Sequence, residues 1–418
     1  MRLPFLALVL PLFAPLAQPR AEVLVVAPAS GPGVDATTIQ QAVDEAVDGD
    51  TILVRDGTYP AFVVTGKSLA LVADGANVFI QAGSRGFAPL LSVRIVSLAE
   101  DQRVVLRGFA TDFGILVQDC VGPVWIDRID VAGATTTAFL SGVAPGATVS
   151  NSSEVTFTSC SLRGDQGVPS FLAGAGQGGS GARLFTSDVR FFDCTLLGGT
   201  GASEADEPSE GGAGLRLDGG CNVLLSGTTI AGGPGGIATN APCTGSMASG
   251  GVGLSFNPTD TVSSLASTAT GGVADLGSLC PGQVGLAGAD ITGTGTIVPL
   301  NGFARSLGTN SPVRGGASVT FTASGQTGEL PLVLVSTRHD TQRMPALSGS
   351  LLVGLPADDV LLLPAVSSTG SSSRTLPAPN VGLTVGALSF YTQAIFVDPS
   401  GGLWLGGGST VTLVDASL

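Results

Sequence analysis

Charged side chains make up only 12% of this 418-residue chain, and it holds one lysine, Lys67, and one histidine, His339. Any mechanism that needs several lysines or imidazoles is excluded. Aromatic residues reach only 5%. So little charge beside 62 glycines argues against long surface helices and favours extended ladders and tight turns. Positive charge is short as well: 18 Lys and Arg stand against 32 Asp and Glu, a formal charge of −14. That balance disfavours a sequence-independent hold on nucleic acid or on an anionic membrane. The apolar run from Leu3 to Leu16 is broken by Pro4, Pro11 and Pro15. It is shorter than the ~20 residues that span a bilayer as a helix. Preceded by Arg2 and followed by small and polar residues, it reads as a secretory signal over residues 1–21. We therefore expect a protein that is secreted or held at the cell surface, with no transmembrane anchor.

What the chain does have is a repeat. Val124-x-Ile126-x-x-Ile129-x-Val131, Val155-x-Phe157-x-x-Cys160-x-Leu162, Val189-x-Phe191-x-x-Cys194-x-Leu196 and Val223-x-Leu225-x-x-Thr228-x-Ile230 align residue for residue, each with a glycine two places later. Apolar residues two apart predict a strand with one buried face, and the three-residue step predicts a bend that keeps the same side inward. The valines recur at intervals of 31, 34 and 34 residues, which suits stacked coils of a solenoid. Glycine-rich stretches near 173–181, 198–214 and 232–251 read as loops between strands.

Of the six cysteines, Cys160 and Cys194 occupy equivalent repeat positions. Either a disulfide or a buried thiol ladder fits there, with the ladder favoured. Cys243 and Cys280, in Gly/Pro/Ser-rich segments, are the better disulfide candidates. From Thr37 to Asp48 the apolar residues Ile39, Ala42, Val43 and Ala46 predict a short one-sided helix, with Thr37 and Gln40 as its capping box. A strand over 51–54 follows.

The run Thr38-Ile-Gln-Gln-Ala-Val-Asp-Glu-Ala46, then Gly49-Asp-Thr-Ile-Leu-Val54 and Gly57-Thr-Tyr59, resembles the N-terminal entry of the pectin-lyase-like, right-handed parallel β-helix family. The resemblance implies an all-β fold: a right-handed parallel β-helix over 22–298 with an N-terminal capping helix. From about Asn301 short alternating runs separated by Pro and Gly predict a small β-sandwich over 299–418. The resemblance to the β-helix family also implies carbohydrate as the ligand. Hydrolases of the polygalacturonase type use paired aspartates, a histidine and Arg-x-Lys; the solenoid has neither histidine nor Arg-x-Lys. The family's lyases place cationic and acidic groups side by side, with an Arg or Lys base and often Ca²⁺.

Arg183 and Arg216 stand in matching contexts, and Arg190, Asp188, Asp193 and Asp218 lie close in the repeat frame. These six, with the outward Trp125, are the candidate substrate-binding residues; Trp125 suits a sugar platform, although such a tryptophan is more often half-buried under a loop, and no catalytic residue is assigned. The same charges also read as weak surface ion pairs, worth ~0–1 kcal/mol each. The acidic stretch Glu204, Asp206, Glu207 and Glu210 could offer oxygens to Ca²⁺ but lacks a regular ligand spacing. His339 is expected to be structural or exposed. The expected function is binding or processing of extracellular carbohydrate, as a lyase on uronate polymers if catalytic. The alternative is a non-catalytic surface or matrix protein.

Overall fold

The computed structural model describes residues 21–81, 91–134, 143–168, 176–203, 208–237, 248–274, 285–382 and 385–418. The signal segment up to residue 20, Cys243, Cys280, Glu204, Asp206 and Glu207 lie outside the described residues.

Each repeat folds as a strand, a single-residue bend and a second strand. The bend residue is the one just before the inward Ile129, Cys160, Cys194 or Thr228. It adopts a left-handed backbone in every case: φ is 54° at Arg128, 53° at Ser159, 52° at Asp193 and 63° at Gly227. One such residue redirects the chain without rotating the next side chain out of the interior, which accounts for the three-residue step in the motif.

The strands stack into three parallel walls. The first runs from the start of the strand Thr51–Pro60 through Val104–Arg107, Val124–Asp127, Val155–Thr158, Asp188–Phe192 and Asn222–Ser226 to Thr261–Leu265 and Thr296–Pro299. The second, joined to it through the long strands Thr51–Pro60 and Leu69–Gln81, ends at Thr268–Thr270. The third runs from Phe62–Thr65 through Ala182–Phe185 and Leu215–Leu217 to Ile291–Gly293. Walls one and two form a 16-stranded sheet and wall three an 8-stranded one. The chain is thus nearly all-β, with large parallel sheets compatible with a β-helix. Val124, Val155, Val189 and Val223 pair in register as a single column, and all four are fully buried. Cys160 and Cys194 are free, stacked thiols inside, the Cys160 N–H reaching Cys194 Sγ at 3.5 Å. After Thr259 the strands Thr261–Leu265, Thr268–Thr270, Ile291–Gly293 and Thr296–Pro299 complete the walls.

The helix spans Ile39–Glu45, and Thr38, not Thr37, caps it: its Oγ1 accepts from the Gln41 N–H at 3.2 Å. Gln40 bonds both the N–H and the C=O of Val63, on the first strand of wall three. Lys67 donates through Nζ to the carbonyls of Val43, Asp44 and Ala46. The only lysine therefore satisfies the orphan acceptors of the helix C-terminus.

The glycine-rich stretches form a hydrogen-bonded layer between walls two and three. The N–H of Gly199 donates to Gly179, Gly212 to Gly199, Gly233 to Gly212, Gly251 to Gly233 and Gly272 to Gly251, at 2.7–2.8 Å. Backbones approach so closely that a Cβ on Gly233 would lie 2.0 Å from the Gly199 oxygen.

After the parallel strands, a three-stranded sheet and a five-stranded sheet pack on one core that includes Leu307, Phe321, Val333 and Phe396. The pairing is antiparallel except that Val313–Arg314 runs parallel to Leu403–Val414. This unit does not continue the parallel sheets end to end. It lies along the outer face of wall one, where Trp125, Phe192 and Leu224 share a cluster with Leu334, Leu352 and Tyr391.

Candidate functional site

Wall one presents Val105, Trp125, Thr156, Arg190 and Leu224 outward in one registered column. The hairpin His339–Met344/Gly349–Val353 covers that column. Trp125 is consequently 1% exposed. Its ring meets His339 at 5.2 Å and Tyr391 at 5.4 Å, and its Nε1 donates to Thr158 Oγ1. The expectation of Trp125 as an open sugar platform is corrected: it points outward, but a distant part of the chain packs over it. Arg190, 6% exposed, sits under the same hairpin, 3.4 Å from the half-buried Asp188. Burial pulls its guanidinium below the usual range. His339 is structural, and burial lowers its pKa to about 3. Neither of its ring nitrogens has a hydrogen-bond partner.

Wall three is open. Arg183 and Arg216 are direct register partners on adjacent strands. Both bond Asp218 through Nε, at 2.5 Å from Arg183 and 2.9 Å from Arg216. The Arg183 guanidinium lies over the Phe185 ring, 4.6 Å from its centroid. Pairing in register continues from Arg183 through Thr148 and Leu116 to the exposed Arg94. Alongside Arg216 runs a groove of about 360 Å³ bordered by Gln177, Glu210, Ser255 and the glycine layer. The Gln177 amide donates to Glu210 at 3.4 Å.

Asp193 belongs to neither group. As a bend residue it lines a cleft of about 390 Å³ between the parallel body and the C-terminal unit, together with Arg128, Ser159, Ser306, Asn310 and Thr322. Arg128 forms no ion pair among the described residues. Burial raises the Asp193 carboxyl to about 6, opposed by a hydrogen bond with Ser306.

The six charged candidates therefore divide among three places: Arg183, Arg216 and Asp218 on wall three, Arg190 and Asp188 under the hairpin, and Asp193 in the cleft. They do not share one groove. Arg128 and Ser159 were not among the expected site residues, although their shared signal, the position before each lining residue, is visible in the repeat. Among the described residues no set of three or more His, Cys, Asp or Glu is placed to hold a metal ion. No described helix is long and apolar enough to cross a membrane. In comparisons with known proteins, no family model matches the chain and no curated protein matches it.

Proposed function

We propose that this is a secreted protein whose stacked strands form a right-handed parallel β-helix of the pectin-lyase-like kind, and that it binds acidic carbohydrate along wall three. One observation carries the reading. Arg183 and Arg216 stand side by side on adjacent strands and use only Nε on Asp218, leaving their terminal guanidinium nitrogens without a hydrogen-bond partner among the described residues. Such paired forks suit carboxylate or sulfate groups repeated along a polymer, because each can donate two parallel hydrogen bonds. Asp218 holds the forks in place, and the groove beside Arg216 supplies amide, carboxylate and hydroxyl partners for sugar hydroxyls.

Titration calorimetry with acidic and neutral polysaccharides tests this. Binding should favour acidic polymers and weaken with added salt. The double change Arg183→Ala/Arg216→Ala should reduce affinity by about tenfold or more, roughly 1.4 kcal/mol. Equal binding of neutral polymers, or no effect of the double change, would refute the reading.

A second reading, turnover by proton abstraction, is favoured by the cleft. There a carboxyl raised to about 6 by burial and the guanidinium of Arg128, without an ion pair among the described residues, share one hydroxyl-rich cavity. Formation of unsaturated ends from uronate polymers, lost in Asp193→Asn, would support it. Binding without any turnover would instead support a non-catalytic surface or matrix role.

A further inference from the structure

The two ends of the parallel stack are finished differently. At the first end, the edge of Val23–Val26 is satisfied from residue 35: the Val25 N–H reaches Asp35 Oδ2 at 2.7 Å, and the Asp35 N–H reaches the Val25 carbonyl at 2.8 Å. On wall three, Gln40 of the helix fills the edge of Phe62–Thr65. At the other end, Thr296–Pro299 and Ile291–Gly293 each pair on one side only and close their sheets. No described residue occupies their outer edges.

The apolar lining is open there too. Leu254 and Val262 are 3% and 1% exposed, yet their register partners one turn on, Ile291 and Ile297, are 47% and 38% exposed. Ile291 and Ile297 border an apolar mouth of about 70 Å³ that reaches Leu225 and Ile230 of the interior. Val273 and Leu286, on the same last turn, are exposed as well. Although the chain carries a net −14, residues 285–300 contain a single charge, Asp290, whose Oδ1 accepts from the Gly271 N–H at 2.9 Å.

We infer that this end is the docking surface for a second copy of the chain, joined tail to tail about a two-fold axis. An unpaired strand edge beside an open core demands another strand edge and another apolar face, and an end left bare invites edge-to-edge association. At the first end of a second copy the Val23–Val26 and Phe62–Thr65 edges are filled and the helix Ile39–Glu45 lies over the apolar lining, so a head-to-tail filament has no matching apolar face. The same last turn of a second copy does offer one. A two-fold sets Thr296–Pro299 antiparallel to its own copy and brings the two mouths together, a self-complementary contact that closes at two chains. The near absence of charge in the last turn spares this contact the repulsion that two strongly acidic chains meet elsewhere.

Sedimentation and light scattering on the mature full-length chain over a concentration range test the inference. The expected species is a dimer that dissociates on dilution. Ile291→Asp/Ile297→Asp should weaken dimerisation by about tenfold or more while the circular dichroism spectrum is retained. Should that variant fail to fold, hydrogen exchange on the unaltered chain reads the same surface: the amides of 291–293 and 296–299 should slow as concentration rises. A chain that stays monomeric at every concentration, including one whose own residues 275–284 seal the mouth, overturns the inference. So does a dimer that the double change leaves intact.

Discussion

Arg107 and Asp127 form a buried ion pair at 2.5 Å, each about 1–2% exposed, where wall one meets the C-terminal unit. Arg107 also donates through Nη2 to the Thr309 carbonyl, and Asp127 Oδ2 accepts from Ser409 Oγ and the Thr410 N–H. The pair is satisfied only while the two units are together. Attraction inside offsets the cost of taking two charges out of water, so removing one partner leaves the other stranded. We expect Asp127→Asn to lower stability by about 3–5 kcal/mol in chemical denaturation. The double change Arg107→Met/Asp127→Leu should recover much of that loss. A single change without measurable cost would show that the pair is not desolvated as described. The donors that complete the shell of Asp127, Ser409 and Thr410, lie nearly three hundred positions away, which no local pattern encodes.

At the scale of elements, the glycine layer explains why positions such as 198–199, 211–212 and 232–233 are glycine. In the sequence these stretches read as loops, since glycines without period-two patterning give no strand signal. In the fold, arms from successive turns hydrogen-bond to one another at a separation that admits no side chain. Gly233→Ala should therefore destabilise by roughly 1–3 kcal/mol, as overpacking does, with a lowered Tm. Gly31→Ala, where nothing lies within 4 Å of an added Cβ, is the control and should be close to neutral. Equal Tm values for the two variants would contradict the close packing of the layer. The bends show the opposite balance. Their position is legible in the three-residue step of the repeat, because a lining residue must return to the interior after each change of direction.

For the whole molecule, docking of the C-terminal unit on wall one governs both exposure and pH response. His339 is enclosed by the Trp125 and Tyr391 rings, and the cations Arg190 and Arg103 face it, so its pKa falls from 6.5 to about 3. The native state thus binds fewer protons than the unfolded state between those values. The stability linked to His339 is complete above pH 6.5 and is lost as pH falls from 6.5 toward 3, at up to about 1.4 kcal/mol per pH unit. Asp193 and Asp165, both raised to about 6 by burial, act with the opposite sign. Their contribution is full below pH 3.8 and is lost as pH rises through 6. Comparing the unaltered chain with His339→Phe isolates the histidine: the variant should keep the ring packing and lose less stability between pH 6.5 and 4. Identical acid profiles would remove His339 from this account.

The sequence by itself determined which residues line the interior and where the chain bends, because these depend on periodicities of two and three within a few residues. Only the tertiary structure decided which outward residues meet solvent. Trp125 and Arg190 face outward by the same alternation as Arg183 and Arg216, yet the first pair lies under a hairpin from residues 339–353 and the second lies open. Side-chain direction is a local property of a strand, whereas exposure is set by what else in the chain packs against it.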